Sequence, residues 1–257
     1  MSKIRDAFKN KKVFVAYLMA GDPILGKTAE YILEMQRAGA GIIEIGIPFS
    51  DPIAEGPVIE KANIRALSHK INLDDIFAML AKIKNEVKIP LLFMTYINPL
   101  FVYGYDKFLS KCAMHGISGV IIPDLPFEEQ DEIKPIAKKH NIEVITLVAP
   151  TSSKERIKEI AHGAEGFVYL VSSMGVTGVR NSINMGIESV ANEIKGHSNV
   201  PVAVGFGIST PKQAKEFSAF ADGVIVGSAI VRIIEEFGDN ARDALNEYVN
   251  SMTKAMQ

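Results

Sequence analysis

A carboxylate stands where an apolar strand should have none. Residues 41–57 begin with Ile42-Ile43-Glu44-Ile45-Gly46, a β-branched run of the kind buried on both faces. The chain then breaks into a loop punctuated by Pro48, Pro52, Gly56 and Pro57, with two further acids, Asp51 and Glu55. An acid in a buried strand costs free energy unless something uses it, so Glu44 reads as a proton-transfer group around which a pocket is built. A second signal is glycine. Residues 172–178 (Ser-Ser-Met-Gly-Val-Thr-Gly), 205–209 (Gly-Phe-Gly-Ile-Ser) and Gly227-Ser228 each follow an apolar run. Glycine lets backbone N–H groups approach an anion, and a helix N-terminus adds favourable partial charge.

These groups need elements to hold them. Strand-like runs occur at 13–19, 42–46, 90–96, 119–123, 144–148, 166–171, 201–205 and 223–226. Between them, helical spacing predicts helices over 27–38, 73–87, 128–139, 154–161, 187–194 and 211–220, and 229–234 follows the last strand. Residues 3–10 form a short amphipathic helix with Ile4, Ala7 and Phe8 on one side. Alternation of about eight strand–helix units implies an all-parallel sheet, and at 257 residues it implies closure: one α/β domain, 1–257, a single (β/α)8 barrel with a short extra N-terminal helix. A weak repeat supports this, because a small-residue turn and a glycine (Gly41, Gly119, Gly166, Gly223) precede or open every second strand.

In such a barrel the working residues sit at the C-terminal strand ends and in the loops that follow. That rule sorts the candidates. His69, His115, His140, His162 and His197 fall on helices or in turns leading into strands, without metal-ligand spacing. Cys112 lies in a helical pattern and reads as a small core residue. No lysine ends a strand, which disfavours a Schiff-base aldolase. What remains at the productive face is Glu44, Asp51, Glu55, Asp124 and the tyrosines Tyr17, Tyr96 and Tyr169. Asp22-Pro23, Asp124 and Asn98-Pro99 read as turn or cap residues, and the tyrosines as pocket wall. Residues 173–186, with Gly175, Gly178 and Gly186, read as a long loop that could close over a substrate.

Composition narrows the class. Net charge is −2 with acids and bases interspersed, and the chain has no Trp, so neither a nucleic-acid nor a membrane partner is expected. A single cysteine points to a reducing compartment, the charged N-terminus does not read as a signal peptide, and no apolar run reaches the roughly 18 residues of a membrane span; a cytoplasmic location is expected.

On Ala20-Gly21-Asp22-Pro23, the run from Glu44 to Pro52, Gly56-Pro57, residues 175–178, residues 205–209 and residues 227–231, the chain resembles the tryptophan synthase α subunit family along almost its whole length. The resemblance implies a barrel that cleaves indole-3-glycerol phosphate into indole and glyceraldehyde 3-phosphate. It implies no cofactor in this chain, and a pyridoxal-phosphate-dependent β subunit as partner in an α2β2 assembly. Residue by residue it implies Glu44 as acid/base, Glu55 at the position of a second catalytic carboxylate that is usually aspartate, and Tyr17, Met94, Tyr96, Tyr169 and Thr177 about the substrate. Gly178, Gly207, Gly227 and Ser228 fall at phosphate contacts, Pro48 and Asp51 in the segment facing the β subunit, and Ser173 where some members have arginine. Three other readings share these features: a phosphate-binding barrel isomerase, a chain that mainly activates its β partner, and a stand-alone indole-releasing lyase.

Overall fold

Eight parallel strands close on themselves in sequence order in the computed structural model, which describes residues 2–172, 180–205 and 207–257, with the backbone alone over 180–185. The strands are β1 (Val13–Met19), β2 (Ile42–Gly46), β3 (Leu91–Met94), β4 (Ile117–Ile121), β5 (Glu143–Val148), β6 (Val168–Val171), β7 (Val202–Gly205) and β8 (Gly223–Val226). Closure is made by β8 returning to β1, with Val13 opposite Gly223 and Ala16 opposite Val226. The expected barrel is the one found.

Around it run α1 (Lys3–Ala7), α2 (Leu25–Arg37), α3 (Pro57–Ser68), α4 (Leu73–Ile83), α5 (Ile97–Tyr103), α6 (Tyr105–Met114), α7 (Lys134–Lys139), α8 (Lys154–Gly163), α9 (Arg180–His197), α10 (Pro211–Ser218), α11 (Ser228–Phe237) and α12 (Arg242–Ala255). Local chemistry starts several of them. Asn72 and Asp75 form a reciprocal capping box at α4, as do Thr210 and Gln213 at α10, and Pro57 opens α3, where its missing N–H costs nothing. Strict alternation does not hold, since two helices separate β2 from β3 and two separate β3 from β4. Asn98-Pro99, expected as a turn, lies in the first turn of α5, a position that tolerates proline. The stretch 128–139 divides into a 3₁₀ turn (Phe127–Glu132) and α7. Of the expected loop 173–186, residues 180–186 are helical, Gly186 included, and 173–179 lie outside the described residues.

Two apolar layers result. The larger lies between strands and helices and contains Cys112, fully buried as expected. The smaller fills the barrel: Val15, Ile42, Leu92, Ile121, Ile145 and Ile225 point inward, and Ile4 and Phe8 enter from below. The glycine repeat has its explanation here. A Cβ on Gly119 would stand 2.8 Å from the Glu143 carbonyl and 2.9 Å from Ile4, one on Gly166 would stand 3.1 Å from Ile4, and one on Gly223 2.9 Å from Phe8. At Gly119, Gly166 and Gly223, on or just before β4, β6 and β8, the N-terminal segment with Ile4 and Phe8 takes part of the space a side chain would need, whereas Gly41 before β2 makes room for Val13. No helix among the described residues is long and apolar enough to cross a membrane.

Ile4 is wholly buried in that plug. Ile4→Ala should lower stability by about 2–4 kcal/mol in denaturant unfolding, the ordinary cost of a core truncation that leaves a cavity. A loss below about 0.5 kcal/mol, the scale of a surface change, would show that the plug does not seal the barrel.

Candidate functional site

Glu44 faces the barrel interior because of register. It pairs with Tyr17 on β1 and with Leu92 on β3, so the three side chains leave the sheet on one side. At the C-terminal ends of the strands lies a cavity of about 330 Å³ whose wall includes Tyr17, Glu44, Glu55, Met94, Tyr169, Gly207, Gly227 and Ser228. Eight of the positions singled out from sequence thus converge on one space. Thr177 and Gly178 lie outside the described residues.

Room for the two phenols comes from glycines. A Cβ on Gly46 would run into the Tyr17 hydroxyl, and one on Gly205 into the Tyr169 ring and hydroxyl. The Tyr17 hydroxyl and Glu44 Oε2 are both buried, and neither finds a hydrogen-bond partner among the described residues. Such atoms are expensive to bury and suit polar groups of a bound molecule.

Burial pushes the Glu44 carboxyl from 4.5 up to about 8, with the Glu55 charge adding to the shift. Glu55 is pushed to about 7, mainly by desolvation, although hydrogen bonds from Asn63 and Tyr96 favour its ionised form. Both groups therefore exchange protons near neutrality, as acid/base chemistry requires.

The loop carrying Glu55 is held from two sides. Asn63, 2% exposed on α3, donates to Glu55 Oε2 while its Oδ1 accepts from the Phe49 N–H at 3.0 Å. The Tyr96 hydroxyl accepts from the Ala54 N–H at 3.1 Å, and its ring packs on Phe49 at 5.4 Å. Tyr96, expected among the substrate contacts, stands one step behind the cavity wall, as a buttress for this loop. Pro48 is half-buried and Asp51 exposed at the outer end of the same segment. Asp22 is buried and bound by both arms of Arg65 at 2.8 Å, and Asp124 accepts from the Ile97 N–H at the start of α5, both structural as expected.

Across the cavity, Gly207 adopts φ +78°, a left-handed conformation suited to glycine, and Gly227 caps α11, whose first turn has no acidic residue. The cavity wall also includes Ser209, from the 205–209 segment, and Ile59 and Arg232, neither of them anticipated. Asn63 was missed as well, although a polar residue in the buried stripe Ile59, Ala62, Asn63, Ala66 was the available signal. Among the described residues no three or more His, Cys, Asp and Glu side chains group as a metal site.

Residues 4–257 match the family model described as tryptophan synthase alpha chain. The tryptophan synthase alpha chain of Lacticaseibacillus casei is 44% identical over 256 residues, covering 100% of this chain and 96% of that one. The crystal structure of the tryptophan synthase alpha chain from Legionella pneumophila superposes with a TM-score of 0.90 at 35% identity, covering 100% and 97% of the two chains. A chain of tryptophan synthase from M. tuberculosis, solved in an aminoacrylate-bound form, gives 0.89 at 29% identity, with 100% of both chains covered.

The raised Glu44 pKa has a consequence for stability. Its protonated form is carried without penalty below the unfolded value near 4.5, and stability is lost as pH rises from there through about 8. Glu44→Gln removes that titration. Relative to wild type, the variant should gain roughly 2 kcal/mol or more between about pH 5 and pH 9 in urea unfolding. A difference that stays constant with pH would show that Glu44 ionises as easily folded as unfolded.

Proposed function

This chain belongs to the tryptophan synthase alpha chain family and cleaves indole-3-glycerol phosphate to indole and glyceraldehyde 3-phosphate; we propose that Glu44 is its acid/base and Glu55 the receiver of the indole N–H. The observation that carries these roles is the buried Glu44 carboxyl, one oxygen unpartnered, in the wall of a cavity that also holds Glu55.

The reaction breaks the bond between indole C3 and the carbinol carbon of the glycerol chain. Its electron pair needs an acceptor. No lysine is among the described residues of the cavity wall to form a Schiff base, so the substrate's own ring serves. Glu44, protonated near neutral pH, gives its proton to C3, which makes an indolenine with positive charge on the ring nitrogen. Ionised Glu55 accepts the N–H and stabilises that charge. The Glu44 carboxylate then removes the proton of the carbinol hydroxyl, the carbon–carbon bond opens toward the ring, the ring regains aromaticity and the carbinol becomes the aldehyde. Glu44 ends as it began. Tyr17, Met94 and Tyr169 line the indole end, and Tyr96 acts through the loop that bears Glu55.

The phosphate end falls to Gly207, Gly227 and Ser228, with Gly178 supplied by residues outside those described. The start of α11 offers N–H groups there without a competing carboxylate. The chain requires no cofactor of its own in this reading.

The family pairs with a β subunit. We place that contact at Pro48 and Asp51, in an α2β2 assembly whose pyridoxal phosphate belongs to the β chain. Support comes from apolar side chains that stand in the open on this end of the barrel: Ile53 beside the segment, with Phe101 and Val102 on α5. A cytoplasmic site of action follows from a biosynthetic role of this kind.

Glu44→Gln should lower kcat for indole release about 10²–10⁴-fold, the usual contribution of a positioned acid/base group. In wild type, kcat/KM should rise as Glu55 ionises near 7 and fall as Glu44 loses its proton near 8. Removing the Glu55 charge with Glu55→Gln should move the alkaline limb down, because that charge helps to raise Glu44. Indole release from indole-3-glycerol phosphate, followed with and without a β subunit, checks all three. Near-wild-type turnover by Glu44→Gln would remove Glu44 from its role.

A further inference from the structure

We propose that the Arg232 guanidinium is the cationic partner of the substrate phosphate and sets the preference for a phosphorylated over an uncharged glycerol chain. This deepens the reading above and rests on it. Arg232 is on α11 one turn beyond Ser228, so the two share a helix face, and both line the cavity with Gly207, Ser209 and Gly227. It is the one cationic side chain among the described residues of the wall.

Its charge is uncommitted. Arg232 is exposed and makes no ion pair among the described residues, although Glu235 and Glu236 follow it on the same helix. Glu235 is occupied by Arg65 at 3.1 Å, and Arg65 in turn holds Asp22. The arginine that could have served as a structural tie is therefore Arg65, and Arg232 is left facing the cavity.

The electrostatics call for such a group. A phosphate dianion must enter a cavity that already holds the ionised Glu55 carboxylate, and like charges in a partly desolvated space repel strongly. A helix N-terminus offers only about half a unit of positive charge, so backbone N–H groups leave a bound dianion largely uncompensated. A guanidinium provides a full charge and two parallel donors that match phosphate oxygens. Placed at the rim, it also draws an anion in along the cavity axis.

The test uses Arg232→Gln and Arg232→Lys with the β subunit present, and two substrates, indole-3-glycerol phosphate and its phosphate-free analogue indole-3-glycerol. Arg232→Gln should raise KM for the phosphorylated substrate about tenfold with kcat changed less than about threefold, and the ratio of kcat/KM between the two substrates should fall by the same factor. Inorganic phosphate should inhibit the variant about tenfold more weakly, the salt dependence of kcat/KM should flatten, and Arg232→Lys should recover part of each effect. An unchanged substrate ratio, or equal losses on both substrates, would overturn the proposal. Failure of the wild-type protein to release indole from indole-3-glycerol phosphate would instead overturn the reaction assignment, which keeps the two outcomes distinct.

Discussion

The ionised form of a carboxyl group loses most of its solvation when it is carried into a barrel interior, and Glu44 is 2% exposed. The shift from 4.5 to about 8 corresponds to something on the order of 5 kcal/mol set against the anion. The chain contains a ready comparison in Asp22, 1% exposed, which has a bidentate Arg65 to balance it. Two buried acids have thus been accommodated in opposite ways. A cation beside Glu44 would lower the cost of burial, but it would also pull the carboxyl toward the ordinary range and leave it ionised at neutral pH, unable to donate. Leaving Glu44 without a cationic partner among the described residues is what keeps its carboxyl protonated near neutral pH.

The barrel interior is shaped to keep that arrangement. Its middle is close-packed by Val15, Ile42, Leu92, Ile121, Ile145 and Ile225, while glycines thin it at both ends. At the bottom, Gly119, Gly166 and Gly223 admit Ile4 and Phe8, which close the lower opening with apolar surface. At the top, Gly46 and Gly205 admit the ends of Tyr17 and Tyr169 beside the cavity. The same substitution of hydrogen for a side chain serves rigidity at one end and a binding space at the other. Because cores pack to near-crystalline density, neither end could be crowded without moving a strand.

Most of this was legible in the sequence where a local rule was either obeyed cleanly or broken conspicuously. The runs 13–19, 42–46 and 223–226 coincide with β1, β2 and β8 because β-branched residues there are bounded by glycine or charge. Glu44 was visible because it contradicts its own strand. Helix α3 was not, since Gly56-Pro57 punctuates a loop and opens a helix with the same two residues. Residues 180–186 read as loop because Gly186 weakens a helical pattern that nevertheless persists. Tyr96 reads from sequence as pocket wall, because alternation along a strand predicts which side a residue faces and says nothing of what its hydroxyl holds. Arg232 carries no signal of its own within the helical run 229–234; only folding brings it into one cavity wall with Gly207.

Glu55 occupies a position where the resembling family usually has aspartate, and side-chain length alone would displace the carboxylate by more than the roughly 1 Å that catalysis tolerates. Length does not act alone here. The carboxylate is tethered by Asn63, whose own oxygen is fixed by the Phe49 N–H, and Phe49 is packed on Tyr96, whose hydroxyl holds Ala54 next to Glu55. The ring of contacts is closed, running from the loop through α3, back to the loop and through the residue that caps α5. Within it the Glu55 carboxylate is tethered to Asn63, and so to the place of Asn63 on its helix. The glutamate is therefore tied to α3 and, through Phe49, to residues 48–51 of its own loop.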